Sequence, residues 1–200
     1  MGLERTQKIV KSLKELQSYK SDVISFLTTN SCENMAELKS LHKDAIPAAL
    51  EKAERYRLLN EPGEAESICL DILHVDPENQ HAVIMLLLAL TDRFEKGYGV
   101  SDAQTKELLT RLKSEYDRVY YSGIVAERRA KMKLRQNTPD CRFQAYDLFR
   151  EAMNCFGKAE PLRPSGQDDA ILRWNTCARI IARNNLVPRE PEEPIEFPLE

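Results

Sequence analysis

Apolar residues recur at helical spacing along most of this chain. Over residues 3–27, Ile9, Leu13, Leu16, Val23 and Leu27 stand three, four or seven apart, with Lys8, Lys11, Lys14 and Lys20 among the intervening polar positions. This spacing predicts an amphipathic helix. A break follows at Thr28-Thr29-Asn30-Ser31, where Asn30 and Glu33 form a capping-box-like pair. Met35, Leu38 and Leu41 then predict a short helix ending about Lys43. Two further amphipathic stretches, residues 49–59 and 65–75, flank Asn60-Glu61-Pro62-Gly63, whose Pro and Gly are expected to interrupt the helix. Each stretch has one apolar face and needs a neighbour to cover it.

The pattern continues downstream. Residues 80–92, QHAVIMLLLALTD, are apolar almost all round and predict a buried helix. A turn is expected over residues 94–102, with a helix after it whose inner face is Leu108, Leu109 and Leu112. Residues 117–136 read as one long helix. Thr138 followed by Pro139 marks the start of the next, because a cap and a proline at the first helical position suit a helix N-terminus. A Pro/Gly loop is expected over residues 157–167, and a last helix over residues 168–185 carries Ile171, Leu172, Trp174, Cys177 and Ile181. The prolines at 188, 191, 194 and 198, set among glutamates, predict an extended or disordered tail over residues 186–200.

Residues 46–79 resemble a tetratricopeptide (TPR) repeat, a helix-turn-helix unit of about 34 residues. The family's small residue of the first helix corresponds to Ala53 and its aromatic to Tyr56. Ala65 corresponds to the small residue of the second helix, and Pro77 to the closing proline. Ala49, Lys52, Cys69 and Ile72 depart from the usual residues. A second match is Ala145, Phe149 and Ala152, in the family's spacing of small, aromatic and small residues. The resemblance implies an all-α fold, a right-handed stack of antiparallel helix pairs (a TPR-like α-solenoid). It would comprise an N-terminal helical extension over residues 1–45, a repeat domain over 46–185 closed by a C-terminal capping helix, and the tail.

It also implies a function. Such stacks bind a peptide or helix of another protein in a concave groove lined by the first helix of each pair. Carried onto this chain, the groove positions are Pro47, Leu50, Glu54 and Arg57, then His81, Ile84, Leu88 and Thr91, then Glu127, Ala130 and Leu134. Leu50, Ile84, Leu88 and Leu134 would form an apolar stripe rimmed by Glu54, Arg57 and His81. Some members hold the acidic tails of chaperones through Lys, Asn and Arg at set positions. Here those positions hold Leu50, Glu54, Met85, Glu127 and Lys131, so binding of such tails is not expected. The expected role is a cytoplasmic, non-catalytic scaffold or adaptor. The alternative is a homo-oligomer whose N-terminal helix fills a neighbour's groove.

Composition adds exclusions. A net charge of −3 with 42% hydrophobic and 30% charged residues suits a soluble helical chain and gives no global pull toward nucleic acid. No apolar run reaches the length of a membrane helix, and MGLERTQKIVK lacks the apolar core of a secretion signal, so no membrane insertion is expected. Five cysteines, at 32, 69, 141, 155 and 177, suit free thiols in a reducing compartment. His42, His74 and His81 lack the spacing of a metal site, and the glycines form no phosphate loop. The carboxylates are expected on solvated faces. No catalytic, cofactor or metal residue is therefore assigned, and an enzyme is not expected. The basic run Arg128, Arg129, Lys131, Lys133 and Arg135 points in several directions around its helix, which favours a solvated surface over a nucleic-acid stripe.

Overall fold

The computed structural model describes residues 37–96, 102–136 and 138–190. The helix expected over residues 3–27, the cap at Asn30 and the end of the tail lie outside the described residues. The chain divides into two compact units, Met1–Lys39 and Ser40–Glu200. Of the first, residues 37–39 are described and have no regular secondary structure. All that follows concerns the second.

The described residues of this unit form seven α-helices and contain no strand. They are α1 (Ile46–Leu58), α2 (Pro62–Val75), α3 (Gln80–Asp92), α4 (Asp102–Arg111), α5 (Glu115–Gln136), α6 (Pro139–Ala159) and α7 (Asp169–Arg183). Short 3-10 turns occupy Lys43–Ala45, Arg93–Lys96 and Glu160–Leu162. Each helix packs on its successor, α6 on α7 included, although the 3-10 turn Glu160–Leu162 and a loop separate those two in sequence. In addition α1 lies against α3, and α3 against α5.

The ends of the helices follow from particular side chains. At the end of α1, Asn60 adopts the left-handed region with φ 62°. The Asn60 N–H then donates to the Arg57 carbonyl at 3.0 Å, and the Glu61 N–H to the Tyr56 carbonyl at 2.9 Å. These two bonds close the last turn in the Schellman pattern. The same device ends α7, with Asn185 at φ 47° and the Leu186 N–H donating to Ile181 at 3.1 Å. Asn79 caps α3 by accepting from the Ala82 N–H at 3.0 Å, and Thr138 caps α6 by accepting from Cys141 at 3.3 Å.

Three local expectations differ. Pro62 and Gly63 do not separate the first two helices. They begin α2, where a proline at the first position gives up no hydrogen bond, and the turn is confined to residues 59–61. Residues 37–42 are irregular rather than helical, and Leu41 reaches the core from that irregular segment. Gly157 lies inside α6, which runs on because Phe156 and Ala159 extend its buried face.

The buried side chains form two clusters. The first joins α1 to α4 and includes Ala53, Ala65, Cys69, Ile72, Leu87 and Leu108. The second joins α5, α6 and α7 and includes Ile124, Ala130, Phe149, Phe156, Ala170 and Cys177. Helix α5 serves both: Val125 faces the first cluster and Ile124 the second. Between α5 and α6 the approach is close at Gly123, where a Cβ atom would meet Phe156 Cε1 at 2.6 Å.

Candidate functional site

Helices α1, α3, α5 and α7 contribute side chains to one cavity of about 340 Å³. Glu54, Arg57 and Leu58 come from α1, Thr91 and Asp92 from α3, Arg128 and Lys131 from α5, and Arg173 from α7. Asn60, in the turn that ends α1, completes the wall. The lining is mainly polar and carries four cationic side chains.

Asp92 organises one side. Its Oδ2 accepts from Arg57 Nε at 2.8 Å and its Oδ1 from Arg128 Nη2 at 2.8 Å. Arg128 Nη1 also donates to the Leu88 carbonyl at 2.7 Å and to the Thr91 hydroxyl. That hydroxyl in turn donates to the Leu87 carbonyl at 2.9 Å, so Thr91 is fixed from both sides. Arg57 Nη1 reaches the Met85 sulfur at 3.5 Å. Both guanidinium groups are thus held in place by side chains and backbone that are themselves largely buried.

Glu127 organises the other side from behind the cavity wall. It is 1% exposed, and its Oε1 accepts from Lys131 and, at 3.4 Å, from Arg173. Its Oε2 is buried with no hydrogen-bond partner among the described residues. Tyr120 also favours the charged form of Arg173.

The electrostatics reflect crowding of like charges. Burial lowers the Arg128 pKa; Asp92 opposes this, while Arg57 and Arg173 add to the lowering. Burial also disfavours charge on Arg173, but Glu127 and Tyr120 outweigh it and leave that pKa raised. Desolvation is the common cost, and proximity to a carboxylate decides which way each group moves.

The groove residues expected from sequence are distributed unevenly. Glu54, Arg57 and Thr91 line the cavity. Leu50 and Ile84 are half-buried against the first core cluster, and Leu88 and Leu134 against the second. His81 and Pro47 are exposed, while Ala130 and Glu127 are buried. Six residues of the cavity were not among the expected groove positions: Leu58, Asn60, Asp92, Arg128, Lys131 and Arg173. Arg128 and Lys131 carried a signal, being basic and three apart on one helix face, but Asp92 and Arg173 carried none. Glu127 corrects the expectation that the carboxylates lie on solvated faces. Of the basic run, Arg129 turns away from the cavity and pairs with Asp102 at 2.6 Å.

A second, mostly apolar hollow of about 290 Å³ lies on α1 and α2 and includes Leu41, Ala49 and Ile68. The four described cysteines are free thiols. Among the described residues no group of three His, Cys, Asp or Glu is placed to hold a metal ion, and no helix is long and apolar enough to cross a membrane.

Fold and site together define an all-α protein with a charged cavity assembled from alternate helices. Comparison of the chain with protein-family models, with curated proteins and with solved structures finds no match.

Proposed function

We propose that this chain is a non-catalytic interaction scaffold of TPR-like construction, which docks a segment of a partner protein on the face shared by α1, α3, α5 and α7. The observation that carries the reading is the origin of the cavity lining. Alternate helices supply it, as the first members of successive helix pairs would in a stack whose concave side binds ligands. Full burial of the small residues Ala53 and Ala65, where α1 and α2 approach, also favours that construction. The face combines fixed charged groups with exposed Leu58 at the rim, a mixture suited to holding a peptide by polar anchors and one apolar contact.

The test is site-specific photo-crosslinking. A crosslinking residue at Glu54, on the cavity rim, should yield adducts with a second protein. One at Ser67, exposed on α2, should not. Adducts of the chain with itself from position 54 would favour the homo-oligomer. Equal yields from both positions, or none from either, would contradict a dedicated face.

A further inference from the structure

The four cations of the cavity are not neutralised by the acids that hold them. Asp92 is shared by Arg57 and Arg128, and Glu127 is shared by Lys131 and Arg173. Each carboxylate therefore balances one of its two partners, and each triad keeps one positive charge. Both triads present cations to the same cavity. The remaining acid, Glu54, is solvent-exposed at the rim, where water screens it.

We infer that the cavity is an oxyanion site that takes a phosphate monoester dianion, presented by the docked partner segment on a phosphorylated side chain. The partner being a protein rests on the scaffold reading; the phosphate rests on the side chains alone. Charge selects the ligand. The two triads leave two positive charges, and a phosphate monoester carries about −1.5 to −2 at neutral pH. A carboxylate would leave one cation uncompensated. Donor type agrees, since three of the four cations are arginines, whose planar N–H arrays suit phosphate oxygens. Size agrees too. A cavity of about 340 Å³ admits one phosphorylated side chain but little more.

The site is also built in advance of its ligand. Arg57 is anchored at Nε and Nη1, Arg128 at both terminal nitrogens, and Arg173 at Glu127. Repulsion among Arg57, Arg128 and Arg173 is held within the folded protein, and a bound dianion would relieve it. A surface cluster of lysines would have neither the anchoring nor the enclosure. This arrangement shares Glu54, Glu127 and Lys131 with the positions by which some TPR domains hold chaperone tails, but its three arginines, Arg57, Arg128 and Arg173, lie outside those positions.

The experiment is calorimetric and thermal-shift titration of the full chain with inorganic phosphate, with ionic strength held constant by sodium chloride. Saturable binding and a rising melting midpoint are expected. Lys131→Gln and Arg173→Gln should each weaken binding about tenfold, the loss of one charge-assisted contact. Each variant leaves Glu127 its other cation, and the replaced side chains are partly exposed, at 31% and 44%, so these variants should fold. Glu54→Gln should tighten binding about two- to threefold by removing a rim charge.

A phosphoserine peptide should then bind more tightly than inorganic phosphate, and its unphosphorylated form weakly. If peptide and inorganic phosphate bind equally, the oxyanion site stands but its delivery by a partner segment is overturned. A midpoint that follows only the chloride control, or an unchanged affinity in Arg173→Gln, would overturn the site itself. Phosphate failing while Glu54 adducts persist would remove the oxyanion site and leave the docking face.

Discussion

Two residues show how closely side chains decide this molecule. Gly123 is buried on α5, facing the ring of Phe156, which is fully buried on α6. A methyl group there would have to displace a ring edge 2.6 Å away, on a ring that is itself fully buried. Gly123→Ala gains about 1 kcal/mol of helix propensity but should lose about 1–3 kcal/mol to overpacking, so the net effect is expected to be destabilising. Urea denaturation will measure it; a more stable variant would show that α5 and α6 are not pressed together at this point.

Glu127 is the second such residue. A 1% exposed carboxylate is tolerated here because two cations meet it on one oxygen. Glu127→Gln keeps the shape and removes the charge. Because Lys131 and Arg173 retain access to water, the cost is expected to be about 1–2 kcal/mol rather than the larger penalty of a fully enclosed pair. The same change should tighten phosphate binding, since the triad loses its only acid. A variant as stable as the parent, with unaltered phosphate affinity, would show that Glu127 does not organise the cavity wall.

At the scale of elements, caps and turns set where helices stop. Asn79 fills the first orphan position of α3 while its side-chain nitrogen donates to Asp76 Oδ2 at 2.9 Å, so one residue ties the end of α2 to the start of α3. Asn79→Ala is expected to cost about 1 kcal/mol. Asn79→Asp, which preserves the acceptor, should cost less despite repulsion from Asp76. Equal melting temperatures for Asn79→Ala and the parent would contradict this role.

Most elements were legible from the spacing of apolar residues. The α3 run and the Thr138-Pro139 start of α6 state their structure locally, through a continuous buried face and a cap followed by proline. Pro62-Gly63 was misleading because proline carries two opposite meanings, and only the position of the left-handed Asn60 decides between a helix stop and a helix start. The short helix expected from Met35, Leu38 and Leu41 is absent over the described residues 37–42, because so few apolar positions do not offset the cost of a helix nucleus. The cavity was the least legible feature. Arg57 meets Asp92 across 35 positions, and Arg173 meets Glu127 across 46, so no local pattern announces either pairing. Glu54, Arg57 and Thr91 could be named in advance only through the family resemblance.

For the whole molecule, the two core clusters meet at α5 and carry titratable groups held neutral by burial. Desolvation pushes the thiols of Cys69 and Cys177 up to about 12 from 9.0, and the Tyr121 hydroxyl up to about 12 from 10.0. In the unfolded chain these groups titrate at the ordinary values. Their stabilising effect is therefore complete below about pH 9 and is lost as pH rises toward 12, because the unfolded state releases protons that the folded state retains. Stability measured by urea denaturation should fall steeply over that interval, and less steeply in Cys177→Ala. A flat profile from pH 9 to pH 12 would contradict the burial of these groups.

The central claim is that four helices distant in sequence bring their charged side chains to one binding cavity. Its most direct test is a phosphate titration of the full chain followed through the arginine side-chain Nε signals in nuclear magnetic resonance spectra. The account predicts that the signals of Arg57, Arg128 and Arg173 shift together with a single dissociation constant, while that of Arg129, paired with Asp102 away from the cavity, stays in place. Independent shifts of the three, or a response at Arg129 equal to theirs, would contradict it.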